Sequence, residues 1–262
     1  MYGIGIFDND ESNWTFKDAI QYCIDNVIQL VNISMSIIDT KTNRDIIKKA
    51  YQAGIIMITS AGNGRGKAIT FPGDMDEVLA IGALDNNFKY HADYASHGES
   101  IEVCFPGNFF IPNLKDPNKY SDFDSGTSYS TPCATGFVSL FMKAFKKINN
   151  RYPTLNEIRK YFIYKYAIDI ENPGVDETSG HGKFVLPNSD IWVNDIPVLE
   201  EDMEIKMYIG NKIFYVNGEE KEMDVAPFTQ NDRTFLPVRF LAEALGCIVE
   251  WNEELQEVKI IK

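Results

Sequence analysis

A serine close to the start of a predicted helix is the side chain in this sequence best suited to chemistry. Ser128 lies in the segment Asp124-Ser125-Gly126-Thr127-Ser128-Tyr129-Ser130-Thr131-Pro132, in which Gly126 permits a sharp turn. The dipole and the free N–H groups at a helix start stabilise negative charge that develops on a nearby oxygen. Ser128 is therefore a candidate site residue. The alternative is a helix-capping serine with no chemistry.

Apolar strand-like runs alternate with helix-like segments ahead of this serine. The predicted elements are strands at 30–35, 55–59 and 78–82, and helices at 16–27, from about 43 to 51, and over 128–148. The last helix is predicted to bury Leu140 and Phe141 on one face. Near-continuous apolar strands separated by helices indicate a parallel sheet covered on both faces. The sequence therefore predicts an α/β domain.

The sequence pattern changes near residue 200. Beyond Leu199 an acidic stretch precedes short alternating strands, an Asn217-Gly218 hairpin signal and one helix near 238–245. We place a domain boundary between about Ser189 and Asp202. The prediction is one domain over 1–195 and a small α+β domain over 200–262.

Composition excludes several classes of function. The 25 Lys and Arg residues against 38 Asp and Glu residues give a net charge of −13, so no basic surface is available for nucleic acid. A hydrophobic fraction of 44% without long apolar runs predicts a soluble globular protein with no membrane span. The first residues contain no basic leader and no signal-peptide core. This predicts a cytoplasmic chain as it stands, or an extracellular one if a missing N-terminus carried a signal.

Three segments together resemble the subtilisin-like serine peptidases, the subtilases. The segment around Ser128 matches the family's Gly-Thr-Ser-x-x-x-Pro motif, and Ala61-Gly62-Asn63 matches its Ala-Gly-Asn segment. The resemblance implies that Ser128 is the nucleophile. It also implies that the Asn63 side chain and the Ser128 backbone N–H form the oxyanion hole, in which loss of the Asn donor costs about 10²–10³ in turnover.

The third segment, Val31-Asn32-Ile33-Ser34-Met35-Ser36, resembles the strand that pairs with an extended substrate backbone. The resemblance implies a polypeptide substrate. Ser34, Met35 and Ser36 would form one wall of the specificity pocket, and Ala61 and Gly62 the other. These residues predict a pocket without a fixed charge.

The chain departs from the family pattern in its acid and base. A subtilase carries Asp, His and Ser in that order, and the Asp and His segments precede the strand that Gly3–Phe7 resembles. Neither segment is present in this sequence. The histidines that do occur are predicted to be solvated surface residues at His91 and His97 and a turn residue at His181. Without a base, Ser128 has ordinary nucleophilicity.

The absent Asp strand would lie between the strands that Gly3–Phe7 and Leu30–Met35 resemble. Its absence would expose apolar strand edges in the middle of the sheet. We therefore expect the chain to be the C-terminal part of a larger subtilase. A missing N-terminal segment or a second chain would then supply the Asp and the His.

The C-terminal residues resemble a different module. Asn231–Gly246, followed by Val249–Asn252 and Val258–Ile261, is similar to the copper amine oxidase N-terminal-like stalk domain. No set of His or other soft ligands supports copper. Asp74 and Asp76 provide too few oxygens for a cation site, and Asp122 and Asp124 are expected to cap the helix at Ser128. We therefore predict no metal and no cofactor.

Two functions remain open at this point. The first is a serine endopeptidase that forms an acyl-enzyme at Ser128 and is inactive as the isolated chain because the triad Asp and His are absent. The second is a non-enzymatic protein derived from a subtilase, which binds a peptide or an envelope component through the strand near Ser34.

Overall fold

A computed structural model describes residues 15–113, 116–187, 191–199 and 204–261. The chain divides into two compact units, residues 1–198 and 199–262. The first unit contains these helices and strands in chain order: α1 (Phe16–Asp25), β1 (Leu30–Ile33), α2 (Lys41–Gln52), β2 (Ile56–Ser60), β3 (Leu79–Leu84), β4 (Ile101–Pro106), β5 (Asn108–Asn113), β6 (Asp116–Ser125), α3 (Thr127–Asn149), α4 (Leu155–Ile158), β7 (Ala167–Ile168), β8 (Lys183–Phe184) and α5 (Ile191–Asn194).

Six strands of this unit form one sheet in the order β1-β2-β3-β4-β8-β7. The first five are parallel, with Ile33 opposite Thr59 and Ser60 opposite Ile81, and only β7 runs antiparallel to its neighbour. Strands β2 and β3 are buried along their whole length, as expected for a sheet covered on both faces. The predicted mixed α/β class is confirmed.

Helices cover the two faces of the sheet. On one face, α1 and α2 pack around a core that includes Ile33 and Met57. On the other, α3 contacts β1 to β4 and buries Val138, Phe141 and Phe145. A capping box closes the start of α1, where Thr15 and Asp18 exchange hydrogen bonds. The carboxyl ends of β1 to β4 therefore meet at one edge of a sheet held between two helical layers.

Two details of the predicted helices are wrong. Val27 lies beyond the end of α1 with a φ of 53° and is 73% exposed, because the chain leaves the helix at Asn26. Leu140 is 52% exposed on α3, although Phe141 beside it is fully buried. The sheet therefore covers a narrower face of α3 than the apolar pattern predicts.

A buried ion pair connects the segment after α4 to strand β4 of the sheet. Arg159 begins a π-helical turn (Arg159–Ile163) after α4, and its Nε donates to Glu102 Oε1 at 2.7 Å. Its Nη2 donates to the carbonyl oxygens of Asp76 and Val78 at 2.9 and 3.0 Å. The Tyr164 hydroxyl donates to Glu102 Oε2 at 2.6 Å. The pKa of Tyr164 is raised, mainly because the hydroxyl is buried and secondarily because it donates this hydrogen bond.

The second unit is small and β-rich. Its elements are β9 (Ile205–Met207), β10 (Ile213–Val216), β11 (Glu219–Glu222), β12 (Phe228–Gln230), β13 (Arg233–Phe235), α6 (Val238–Ala244), β14 (Ile248–Asn252) and β15 (Glu257–Ile261). Strands β10 and β11 form the hairpin predicted at Asn217-Gly218, and both turn residues have positive φ. Phe214, Val216 and Met223 form its core. None of the described helices of either unit has the length and apolar content needed to cross a membrane.

We predict that Arg159→Met lowers the free energy of unfolding by about 3 kcal/mol or more, because it leaves the Glu102 carboxylate buried without its cation. The two side chains are only 16% and 11% exposed. Urea denaturation of the whole chain measures the change. Lys206→Met, which breaks the exposed Lys206–Glu204 pair, is the matched control and should leave the unfolding transition of its unit unchanged. Comparable losses in the two variants would contradict the ion pair's structural role.

Candidate active site

The start of α3 lies at the carboxyl edge of the sheet. The N–H of Gly126 donates to the carbonyl oxygen of Gly107, directly after β4, at 2.9 Å. Gly126 is the N-cap, Thr127 is the first helical residue and Ser128 is the second. Ser128 is therefore not the capping residue, and the interpretation of this serine as a helix cap is wrong. Its side chain is half-buried, and its N–H is one of the first four in the helix, which have no intrahelical acceptor.

Thr127 joins this helix start to the segment after β2. Its N–H and its hydroxyl both donate to Asn63 Oδ1 at 3.0 Å. The same hydroxyl oxygen accepts a hydrogen bond from the N–H of Gly62 at 3.2 Å. The carbonyl end of the Asn63 amide is thus held by Thr127, which leaves the Nδ2 group with its two donors for another acceptor.

Gly126 lies close beside this amide. A β-carbon on Gly126 would lie 3.3 Å from Asn63 Nδ2, which is tighter than ordinary van der Waals contact. The structure thus brings Asn63, Gly126 and Ser128 together within one turn of the start of α3. Two N–H donors, one from the Asn63 side chain and one from the Ser128 backbone, are available there to an oxygen that develops negative charge.

The residues predicted as pocket walls follow two neighbouring strands. Ser34, Met35 and Ser36 come directly after β1, and Ala61 and Gly62 come directly after β2. The side chain of Thr70 lies between the two segments, because its Oγ1 is 2.6 Å from Ser36 Oγ and would be 3.2 Å from a β-carbon on Gly62. Met35 is 37% exposed and Ala61 is buried. The two segments therefore lie side by side at the edge where α3 begins.

Asp124 does not cap α3 as the sequence predicted. Its Oδ2 accepts a hydrogen bond from the Tyr129 hydroxyl at 2.6 Å, and its Oδ1 accepts one from the Ser125 N–H at 2.8 Å. These two donors hold the pKa of the Asp124 carboxyl below its ordinary value. The Asn63 amide oxygen instead accepts the hydrogen bond from the first N–H of α3. The side chain of Asp122 lies outside the described residues.

None of the three histidines is hydrogen-bonded to Ser128 in the described part of the chain. His181 stacks on the Tyr164 ring with centroids 3.7 Å apart, and burial lowers the pKa of its imidazole. His91 contacts Glu171, and His97 contacts His91, so the prediction of two solvated histidines is wrong. Across the described ranges, no group of three or more His, Cys, Asp or Glu side chains is placed to hold a metal ion.

The sequence pattern of the subtilase family matches residues 1–182. The chain belongs to the subtilase family. The resemblance inferred from the motifs around Asn63 and Ser128 is therefore confirmed. A second pattern, the copper amine oxidase N-terminal domain, matches residues 194–260 and agrees with the module inferred for the C-terminal residues.

Curated relatives of this subtilase are proteases. It is 27% identical over 186 residues to the minor extracellular protease Epr of Bacillus subtilis, a match that covers 70% of this chain and 27% of the relative. It is 29% identical over 164 residues to subtilisin DY of Bacillus licheniformis, covering 60% of this chain and 56% of that protein. The chain thus spans between about a quarter and just over half of the length of these relatives.

Solved structures support the same fold. The prenylagaramide maturation protease PagA superimposes with a TM-score of 0.57 at 20% identity, over 72% of this chain and 71% of that one. A lanthipeptide protease superimposes with a TM-score of 0.54 at 17% identity, over 64% of this chain and 63% of that one. At these identities the likeness shows the subtilase fold alone.

In this subtilase, Thr127→Val is predicted to expose the Gly62 amide to exchange. The valine keeps the shape of threonine but offers no oxygen to the Gly62 N–H, so a buried donor loses its acceptor. Hydrogen exchange followed by NMR should show at least 10-fold less protection at Gly62. Thr127→Ser keeps the hydroxyl and should stay within a few-fold of the original chain. Equal protection in the two variants would mean that the Thr127 hydroxyl does not hold this segment.

Proposed function

We propose that this chain carries the nucleophile and the oxyanion hole of a serine endopeptidase, with Ser128 as the nucleophile. The Asn63 side chain and the Ser128 backbone N–H are the two oxyanion donors. The observation that carries the proposal is the double hydrogen bond from Thr127 to Asn63 Oδ1. Because Thr127 holds the oxygen end of the amide, the Nδ2 donor end points away from Thr127 and lies beside Ser128. Donors fixed before the reaction are worth most, because they need no reorganisation as charge develops.

The proposed reaction is acyl transfer from a polypeptide. Ser128 Oγ attacks the scissile carbonyl carbon, the carbonyl oxygen takes up negative charge between the two donors, and the amine leaves with a proton from a general acid. The serine proton must first pass to a base. In subtilisin, loss of the histidine alone lowers turnover by about 10⁶. Since no described histidine is hydrogen-bonded to Ser128, the chain by itself is proposed to be inactive.

The Asp and His are proposed to come from a further segment or from a second chain. Two features of the described surface support a docking place for it. Strand β1 lies at the edge of the described sheet, with β2 as its one neighbour there. On the adjoining helix α3, Pro132, Gly136 and Leu140 lie four residues apart along one exposed face, and a β-carbon on Gly136 would meet nothing within 4 Å. A strand and a helix would cover these two surfaces together.

The substrate is proposed to be an extended polypeptide that pairs with the chain after β1. Main-chain pairing of this kind recognises the backbone first and leaves specificity to the pocket walls. Ser34, Met35 and Ser36 on one side and Ala61 and Gly62 on the other carry no charge. We therefore propose that the pocket accepts an uncharged side chain. The residues from about 200 to 262 are proposed to form a separate accessory domain that takes no part in the reaction.

A fluorophosphonate probe, which reacts only with an activated serine, tests this proposal. The chain alone should react weakly, and addition of the Asp and His segments, either by extending the reading frame upstream or by co-expression, should accelerate labelling by at least 10⁴-fold. Ser128→Ala should remain unlabelled in both forms, and Ser125→Ala is the control that should label normally. Mass spectrometry of the labelled peptide identifies the residue.

The proposal fails if the extended protein reacts no faster than the chain alone, or if Ser128→Ala labels equally. In that case the second function named above, peptide binding without catalysis, would be favoured by saturable binding of an extended peptide that Ser128→Ala leaves unchanged.

A further inference from the structure

Two histidines and a glutamate form a cluster that the proposed peptidase chemistry does not use. His91 and His97 belong to the loop between β3 and β4, and Glu171 belongs to the loop between β7 and β8. His91 Nε2 and His97 Nε2 are 3.1 Å apart, and His91 Nδ1 is 2.5 Å from Glu171 Oε1. The side chains of His91 and Glu171 are each 18% exposed. We propose that His91 and His97 bind one divalent transition-metal ion of the zinc class through their Nε2 atoms, with Glu171 orienting His91.

Glu171 determines which nitrogen of His91 is free. A carboxylate only accepts hydrogen bonds, so the Nδ1 atom of His91 must carry the proton that it shares with Glu171. The neutral ring then presents an unprotonated Nε2 atom toward His97. A histidine that binds a metal almost always donates its other ring N–H to a carboxylate, a carbonyl or water, which fixes the tautomer and raises the basicity of the ligand.

The spacing of the two Nε2 atoms fits a shared ion. Two nitrogens that each lie about 2.0–2.1 Å from one metal are separated by about 2.9 Å for a right angle and about 3.3 Å for a tetrahedral angle at the metal. The observed 3.1 Å lies between these values. The two rings are inclined by 78°, with centroids 4.8 Å apart, so they meet at an angle rather than stacking. Imidazole nitrogens suit zinc, copper and nickel rather than calcium or magnesium.

Hydrogen bonds and packing position the three residues. The N–H of His91 donates to Glu171 Oε1 at 2.8 Å. The Thr178 hydroxyl oxygen lies 3.2 Å from Glu171 Oε2 and 2.6 Å from Asp176 Oδ1, its nearer acceptor. The N–H of His97 donates to the carbonyl oxygen of Lys67 at 2.9 Å. A β-carbon on Gly66 would lie 3.5 Å from the His97 ring, so this loop packs against the imidazole. The ligands are therefore ordered by the protein and need no ion to bring them together.

The surroundings of His91 favour a cation. His91 and Glu171 line an open cleft of about 750 Å³. Asp85 and Asp93 line the same cleft, and no lysine or arginine is among its described lining residues. Since the described chain offers no third His, Cys, Asp or Glu ligand at this point, water completes the coordination. An ion held by two nitrogens and water is accessible to exchange with solvent.

Zinc titration of the whole chain by calorimetry tests the proposal. We expect one Zn²⁺ per chain at this cluster and no comparable heat with Ca²⁺. His91→Asn and His97→Asn should each weaken Zn²⁺ binding at least 10-fold, and Glu171→Gln, which alters no ligand, should weaken it by about 10–100-fold. His181→Asn, the third histidine of the chain, is the control and should bind as the original chain does. Circular dichroism checks that each variant folds.

A second readout is independent of the metal and of the variants. In the metal-free chain, long-range proton–nitrogen NMR of the imidazoles should show His91 protonated on Nδ1. Protonation on Nε2, an absence of Zn²⁺ uptake, or uptake that is unchanged in any of the three cluster variants would overturn the proposal. The outcome is separate from the fluorophosphonate test, because neither histidine takes part in the reaction proposed at Ser128.

Discussion

The contact between Thr127 and Asn63 is the interaction on which the candidate site depends. In a parallel sheet the functional groups come from loops at the carboxyl edge, and each loop follows a different strand. Here the chain between β2 and β3 must be held against a helix that begins more than sixty residues later. The Thr127 hydroxyl meets that requirement, because it accepts from Gly62 and donates to Asn63. One buried side chain thereby fixes both the helix start and the amide beside Ser128.

The same contact explains how the proposed oxyanion donors are held without the proposed Asp and His. The proposed oxyanion donors are held by the start of α3 and by the segments that follow β2 and β4, all within the described residues. The proposed Asp and His are not part of that set, since the segment that supplies them is proposed to cover the edge of β1 and the exposed face of α3. Preorganised donors and an activated nucleophile are therefore separable structural properties. In our proposal the first belongs to this chain, and the second depends on a further segment that covers its surface.

Much of the fold could be predicted from local patterns. The apolar runs at β2 and β3 are buried throughout, so their near-continuous hydrophobicity predicted a parallel sheet correctly. The Asn217-Gly218 turn forms through contacts between close neighbours in sequence. The predicted burial of Leu140 was wrong because helical periodicity does not reveal how wide a face of α3 the sheet covers. Family motifs pointed to Asn63 and Ser128, but only the structure showed which end of the Asn63 amide Thr127 holds.

The histidine cluster was beyond sequence reasoning for a related reason. Glu171 is 80 residues from His91, and it adopts a φ of 67° in a loop whose path no periodicity predicts. A polar loop with two histidines resembles a solvated surface until the partner loop is placed. The contacts on which the two proposals rest, at Thr127 and at His91, both join distant segments, and short-range patterns omit such contacts.

A double-mutant cycle between Asn63 and Thr127 tests the central claim most directly. The free energies of unfolding of Asn63→Ala, Thr127→Ala and the double variant are measured by urea denaturation and compared with that of the original chain. If the two side chains hold the site together, their effects are not additive, and the coupling energy is about 1–3 kcal/mol. Effects that add to within about 0.5 kcal/mol would contradict the account, because they would show that the two residues act independently.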